Sequence, residues 1–596
     1  MTNLKRAALA ACAVLLAVSS AAAAPFASVP DAGLNAHMKA KAQTPTPNLN
    51  CATNPTVTVS GAVFTGCMSA WSTSPVAVFE GIPYATQTRW QNSTLNTPAT
   101  MTANAPGNIC PQEGSNPTWP PMAEDCLNLN IWMPQGAVAG SLPVMVFIHG
   151  GAFVSGHGSS PMYDGSALAQ QGVVVVSLNY RLGPFGFLVS DHKGIVAPGN
   201  MGLIDQQNAL QWVQNYIAPF GGDKTRVTIF GESAGAMSVG LHLFSVPTSD
   251  TLFNAAIMES NPVGIFYNTK AAAKPAGSKF LYELCVNTNP AKICDQTWFQ
   301  STVTTQQILT EQAKFSSVQI GLNARGLLWA PVIDLASDPQ PVVMNQPFDG
   351  YAAGSHAKPF VFGVNRDEGV LFAAGAAKGN GSAPSQGDYN NMLSLEYGSG
   401  NVSAIAGYPL YDISTGSYCY NKKYQHSPPN PFCYYSSWGQ SLANVLTDYS
   451  FATGNLVMAR ESQGAFVPPV FAYVFTQKPE FDLYAIGVDH GACWPNQDHV
   501  CHGNELPYVF DTLATAPMYQ GGPSDEALAR IMSADWVAFA KNPLAPGADF
   551  TRYDFTLAPE ATGYGNGAVA PNQPYFPDSN ESFWNPMYPQ IQMPKP

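Results

Sequence analysis

Six short, solidly apolar runs constrain this chain more than any other feature: residues 143–149, 173–180, 226–233, 255–260, 358–364 and 468–475. A run of this length without polar alternation suits a strand covered on both faces, since neither side of its pleat meets water. Helical patterns lie between the runs. In 201–217, Leu203, Ile204, Ala209, Leu210, Val213 and Ile217 fall mainly on one helix face. Parallel neighbours need crossover connections, so strands alternating with helices predict an α/β fold with a large, mostly parallel central sheet and helices on both faces. Before this core, short alternating runs from Thr56, and the run from 76 to 84, read as antiparallel strands.

The third run ends in Gly231-Glu232-Ser233-Ala234-Gly235 and is followed by the small, helix-compatible Ala236-Met237-Ser238-Val239. Gly-x-Ser-x-Gly between a strand and a helix is the pattern of a nucleophile elbow. The serine sits on a tight turn, and a side chain two residues to either side would crowd strand against helix. Its hydroxyl then stands at a helix N-terminus, where free N–H groups and the helix dipole favour negative charge. A serine nucleophile needs a base, an acid to orient the base, and donors for an oxyanion. His149-Gly150-Gly151-Ala152-Phe153 follows an apolar run directly. Its small residues let backbone N–H groups approach a developing alkoxide, so the expected oxyanion donors are the N–H groups of Gly151, Ala152 and Ala234.

Composition excludes several other classes. Only 11% of the 596 residues are charged and the net charge is −13, with 26 basic residues and no basic run beyond Lys5-Arg6. Nucleic acid and anionic membrane surfaces are therefore not expected partners. Residues 1–24 read as a signal peptide, with Lys5 and Arg6 as its charged start, 7–18 as its apolar stretch and 19–24 as its cleavage region. The expected location is secreted or periplasmic. Leu9-Ala10-Ala11-Cys12 resembles a lipoprotein box, but no apolar region precedes it. No other run approaches twenty apolar residues, so no membrane span is expected. Residues 25–50 read as a flexible leader, and 51–596 as one domain with a long insertion near 373–439.

Apart from Cys12, the cysteines are Cys51, Cys67, Cys110, Cys126, Cys285, Cys294, Cys419, Cys433, Cys493 and Cys501. In an oxidising compartment they suit five disulfides, and pairing of sequence neighbours is the simplest of many connectivities. No spacing suits zinc, so neither a metal nor a cofactor is expected.

The segment from Gly199-Asn200-Met201-Gly202 through Asp205-Gln206-Gln207-Asn208-Ala209-Leu210 to Phe220-Gly221-Gly222-Asp223, with the elbow, resembles the type-B carboxylesterases. These are the cholinesterase-like carboxylesterase/lipase branch of the α/β-hydrolases. Gly81-Ile82-Pro83-Tyr84-Ala85, Glu124-Asp125-Cys126-Leu127-Asn128-Leu129-Asn130 and Asn179-Tyr180-Arg181 extend the resemblance over residues 76–555. It implies an α/β-hydrolase fold and a serine carboxylesterase working through an acyl-enzyme. Glu368 in Gly363-Val364-Asn365-Arg366-Asp367-Glu368-Gly369 matches the acid, with Asp367 as its neighbouring alternative. His502 in His502-Gly503-Asn504-Glu505-Leu506-Pro507-Tyr508-Val509-Phe510 matches the base. His490 imitates only the front of that motif.

Glu232 and Ser260 match polar positions near the triad. Cys110 with Cys126, and Cys285 with Cys294, resemble family disulfide loops. The first loop is shorter here, and Trp119 lacks the tryptophan context that holds a quaternary ammonium. The implied substrate is a small-molecule carboxylic ester. A lipase or a hydrolase of bulky or aromatic esters is the alternative, and a non-catalytic cholinesterase-like binding module the remote one.

Overall fold

The apolar runs become the middle of a 12-stranded mixed sheet. Its strands are β1 (Leu49–Asn50), β2 (Cys67–Ser69), β3 (Val76–Pro83), β4 (Asn128–Pro134), β5 (Leu142–Ile148) and β6 (Val174–Leu178). They continue as β7 (Gly222–Glu232), β8 (Ala255–Glu259), β9 (Phe360–Asn365), β10 (Val470–Phe475), β11 (Glu560–Gly565) and β12 (Ala568–Pro574). In space they run in chain order except that β6 lies between β4 and β5. The computed structural model describes residues 49–574 apart from 115–118, 290, 292–293, 320–326, 339–340, 348–357, 379–386, 388–389, 391–436, 462–467, 482, 484–492, 494–498, 517–518, 520, 548–549 and 551–559.

From β6 through β5 and β7 to β11 every pairing is parallel, while β1 to β4, the β4–β6 contact and the β11–β12 pair are antiparallel. Thr56–Val59 and Ala62–Thr65 form a separate antiparallel hairpin beside this margin. Leu49–Asn50, the last residues of the expected leader, pair with β2.

The pleat divides β5 between two cores. Val144, Val146 and Ile148 point into one, and Met145 and Phe147 into the other. The first core is covered by α1 (Met201–Tyr216) and α2 (Ala234–Phe244), the second by α4 (Pro523–Lys541) through Leu528, Met532 and Trp536. Covering both faces explains why β5 and β6 carry no polar alternation. It also forces the chain's functional groups to the strand ends, outside the sheet, where open α/β folds bind ligands.

Register then sets which ends meet. Ile148 pairs with Gly231, Glu232 with Glu259, and Glu259 with Gly363. The carboxyl ends of β5, β7, β8 and β9 therefore stand side by side. α1 is locked to this layer by a buried bidentate pair, with Arg181 Nε and Nη2 each 2.7 Å from an oxygen of Asp205.

Residues 1–48, which include the expected signal and nearly all of the leader, lie outside the described residues. Of the 373–439 stretch, residues up to 378 continue α3 (Glu368–Lys378) and 437–439 open the helix Ser437–Val445. Cys419, Cys433 and His490 fall outside the described residues. Four neighbour pairs are bonded: Cys51–Cys67, Cys110–Cys126, Cys285–Cys294 and Cys493–Cys501. No helix among the described residues is long and apolar enough to cross a membrane.

Candidate active site

Ser233 joins β7 to α2 in a conformation few L-residues adopt, with φ 57° and ψ −123°. Such a backbone costs about 1–3 kcal/mol and persists only when its surroundings fix it. Two bonds fix it here: Ser233 N–H donates to the Glu259 carbonyl at 3.0 Å, and Met237 N–H donates to the Ser233 carbonyl at 2.8 Å. The flanking glycines are present for close approach. A Cβ at Gly231 would lie 2.5 Å from the Ile148 carbonyl oxygen, and one at Gly235 would overlap the same atom. β5 and α2 thus pack through the space those side chains would fill.

The oxyanion loop begins where β5 ends. Gly150 lies against the elbow, so that a Cβ there would meet Glu232 Oε2 at 2.8 Å and Ser233 Cβ at 3.1 Å. Gly151, Ala152 and Phe153 follow with φ of 104°, 55° and 60°. The Gly151 carbonyl accepts from the N–H groups of Val154 and Ser155, both at 3.0 Å. The turn is therefore closed on its carbonyl side. The N–H groups of Gly151, Ala152 and Ala234 donate to no acceptor among the described residues.

Glu368 is the first residue of α3 and fully buried. One oxygen accepts from Asn365 N–H at 2.7 Å, and the other contacts His502 Nδ1 at 2.6 Å. Asp367 turns the other way. Its carboxylate accepts from Val500 N–H and Arg366 Nε, both at 2.8 Å. Burial opposes its charge, but Arg366 and His499 hold its pKa down to about 2. Of the two adjacent carboxylates, Glu368 faces the imidazole.

The His502 loop is pinned on several sides. Cys501 is bonded to Cys493, its N–H donates to Asn504 Oδ1 at 2.6 Å, and its carbonyl accepts from Asn365 Nδ2 at 2.8 Å. The rings of Phe372 and Phe451 each lie 5.1 Å from the imidazole. Phe451 comes from a π-helical stretch, Leu446–Thr453, inserted between Ser437–Val445 and Gly454–Glu461. Wide turns of this kind recur at functional sites, where they re-aim a side chain.

Beneath the imidazole lies a group of buried carboxyls. His502 Nε2 is 3.1 Å from Glu232 Oε1. Glu505 accepts from Ser260 Oγ at 2.7 Å and from Asn365 Nδ2, while Glu259 accepts from Trp536 Nε1 at 2.6 Å. Burial raises Glu232, with repulsion from Glu505 and Glu368 adding and His502 opposing. Burial also raises Glu505 and Glu259 above the usual carboxylate range.

His502 moves the other way from an ordinary buried histidine. Burial alone would lower it, but Glu232 and Glu368 together raise it. The shifts of His502 and Glu232 describe one shared proton, because a protonated Glu232 no longer attracts the imidazolium. Glu368, in contact with Nδ1, favours the imidazolium in either case.

The structure thus brings Glu232 and Glu368 into contact with His502, with Ser233 next in the chain to Glu232 and Gly150 against its Cβ. Sequence reasoning reached Glu232 and Ser260 but missed Glu505, Asn365, Phe372 and Phe451. Glu505 and Asn365 were within reach, being part of the motifs that pointed to His502 and Glu368. The π-helical stretch left no comparable trace. Trp119 packs edge-on against His157 with ring centroids 5.5 Å apart.

Residues 53–587 match the carboxylesterase family. A para-nitrobenzyl esterase of Bacillus subtilis is 32% identical over 80% of this chain and 88% of its own length. A protein of Dictyostelium discoideum called crystal protein is 34% identical over 71% of this chain and 70% of its own. The solved structure of a PNB esterase superposes with a TM-score of 0.67 at 28% identity, covering 89% of this chain and 99% of the other.

Proposed function

The chain belongs to the carboxylesterase family and is a carboxylic ester hydrolase, and from that premise we propose an exported enzyme using Ser233, His502 and Glu368 through an acyl-enzyme. The observation that carries the assignment is the 2.6 Å contact of Glu368 with His502 Nδ1 beside the strained Ser233 turn.

In this reading Glu368 fixes the tautomer in which Nε2 acts as the base. Ser233 Oγ attacks the ester carbonyl as His502 removes its proton. The N–H groups of Gly151, Ala152 and Ala234 receive the oxyanion, and their fixed placement means no reorganisation as charge develops. His502 then protonates the departing alcohol. Water, deprotonated by the same imidazole, releases the acid and restores the serine. Residues 1–24 support export by their composition, and disulfides such as Cys493–Cys501 suit an oxidising compartment.

The test is Ser233→Ala assayed on p-nitrophenyl esters. Turnover should fall by roughly four to six orders of magnitude with thermal unfolding little changed. Undiminished turnover would remove Ser233 from the mechanism.

A further inference from the structure

The oxyanion loop ends at Gly156, and that end is held by a side chain forty-four residues earlier. Gln112 Nε2 donates to the Gly156 carbonyl at 3.0 Å, and Gly156 N–H donates to Gln112 Oε1 at 2.9 Å. One carboxamide thereby satisfies both backbone groups of one residue, as the opposite residue of an antiparallel ladder would. The amide is itself fixed, because Nε2 also donates to the Cys110 carbonyl at 3.1 Å and Gln112 is only 1% exposed. Cys110 is bonded to Cys126, so the clamp is mounted on a covalently closed loop.

Gly156 in turn presses on the start of the oxyanion loop. Its φ is 104°, and a Cβ there would meet His149 Nδ1 at 2.5 Å and the Gly150 carbonyl oxygen at 2.6 Å. His149 is held from its far side by Tyr180, whose ring stacks on it and whose hydroxyl donates to its carbonyl at 2.9 Å. Between these supports, Ala152 and Phe153 keep left-handed backbones that cost non-glycine residues free energy and relax if an end is released.

We propose that Gln112 is a positioning residue for ester hydrolysis: its carboxamide ties the oxyanion loop to the Cys110–Cys126 loop and fixes the aim of the Gly151 and Ala152 N–H groups. The proposal rests on the reading of those two groups as oxyanion donors. A donor displaced by about 1 Å costs on the order of a hundredfold in rate, while ground-state binding, which does not use the oxyanion geometry, changes little.

Gln112→Met keeps the length and removes both bonds to Gly156 together with the one to Cys110. Rates are normalised by the burst of p-nitrophenol that counts competent sites. Expected is a kcat lowered about 10- to 100-fold with KM within about threefold. Affinity for a trifluoromethyl ketone, whose serine hemiketal carries the oxyanion, should fall by the same factor as kcat/KM.

Gln112→Glu is the second variant. An ionised carboxylate accepts from Gly156 N–H but cannot donate to its carbonyl, so the deficit against the native enzyme should shrink as pH falls and the carboxyl is protonated. Native-like kcat in Gln112→Met, a loss in KM alone, or a Gln112→Glu deficit independent of pH would overturn the clamp. A native protein that neither turns over esters nor binds the ketone would instead overturn the oxyanion reading beneath it.

Discussion

The elbow and the oxyanion loop face one another, and both hold strained backbone: φ is 57° at Ser233, 55° at Ala152 and 60° at Phe153. They hold it by different means. The elbow is wedged between a strand and a helix, where two glycines let β5 and α2 close on it and main-chain bonds to β8 and within α2 hold Ser233. The middle of the loop rests on the short helix Gly183–Phe187, whose Gly183 N–H donates to the Phe153 carbonyl at 2.7 Å. Its two ends are held by single side chains, Gln112 and Tyr180, brought from distant parts of the chain. One wall of the site is therefore set by close main-chain packing of a strand and a helix and the ends of the other by side-chain hydrogen bonds, and the two walls should fail differently.

Breaking the elbow should have the larger effect. Gly235→Ala drives a Cβ into the Ile148 carbonyl, where neither strand nor helix backbone can yield. Overpacking of this kind costs about 1–3 kcal/mol or more, and here it falls on the nucleophile. Expected is loss of nearly all activity with a lowered Tm, read by ester turnover and thermal unfolding. An active, equally stable variant would show that the elbow has slack.

Gly156→Ala addresses the other wall. The new Cβ meets a histidine ring nitrogen and the Gly150 carbonyl oxygen from a left-handed backbone. The loop can shift, so the protein should fold and bind substrate but lose roughly 10- to 100-fold in kcat. Equal losses in stability for Gly235→Ala and Gly156→Ala would erase the distinction between the walls.

The smallest expected effect concerns the proton between Glu232 and His502. Glu232 raises the pKa of His502, and the base works only when neutral, so native activity should rise with pH as the imidazolium is lost. Glu232→Gln removes a negative charge that favours the imidazolium. The His502 pKa falls, and the acidic limb of kcat/KM moves to lower pH. A limb that stays in place would mean that Glu232 already carries the shared proton in the native enzyme.

The same contrast explains what was legible in the sequence. Apolar runs predict β5 to β10 because strands covered on both faces must be apolar throughout, and Gly-x-Ser-x-Gly predicts the elbow because its steric demands lie within five residues. Glu368 and His502 were reached through motifs around each, although they meet across 134 residues. Gln112 and Phe451 act through contacts between segments, and no periodicity records such a contact. Glu505 shares the motif of His502, but its purpose, a buried partner for Ser260 and Asn365, exists only once the ends of β8 and β9 are side by side.

The central claim, that Ser233 is the nucleophile, is tested most directly by covalent capture. The protein is treated with diisopropyl fluorophosphate, digested and mapped by mass spectrometry. The account predicts one phosphoryl adduct per chain, on Ser233, with ester hydrolysis lost in proportion to labelling. Activity lost with the adduct on another residue, or full labelling of Ser233 with turnover retained, would contradict it.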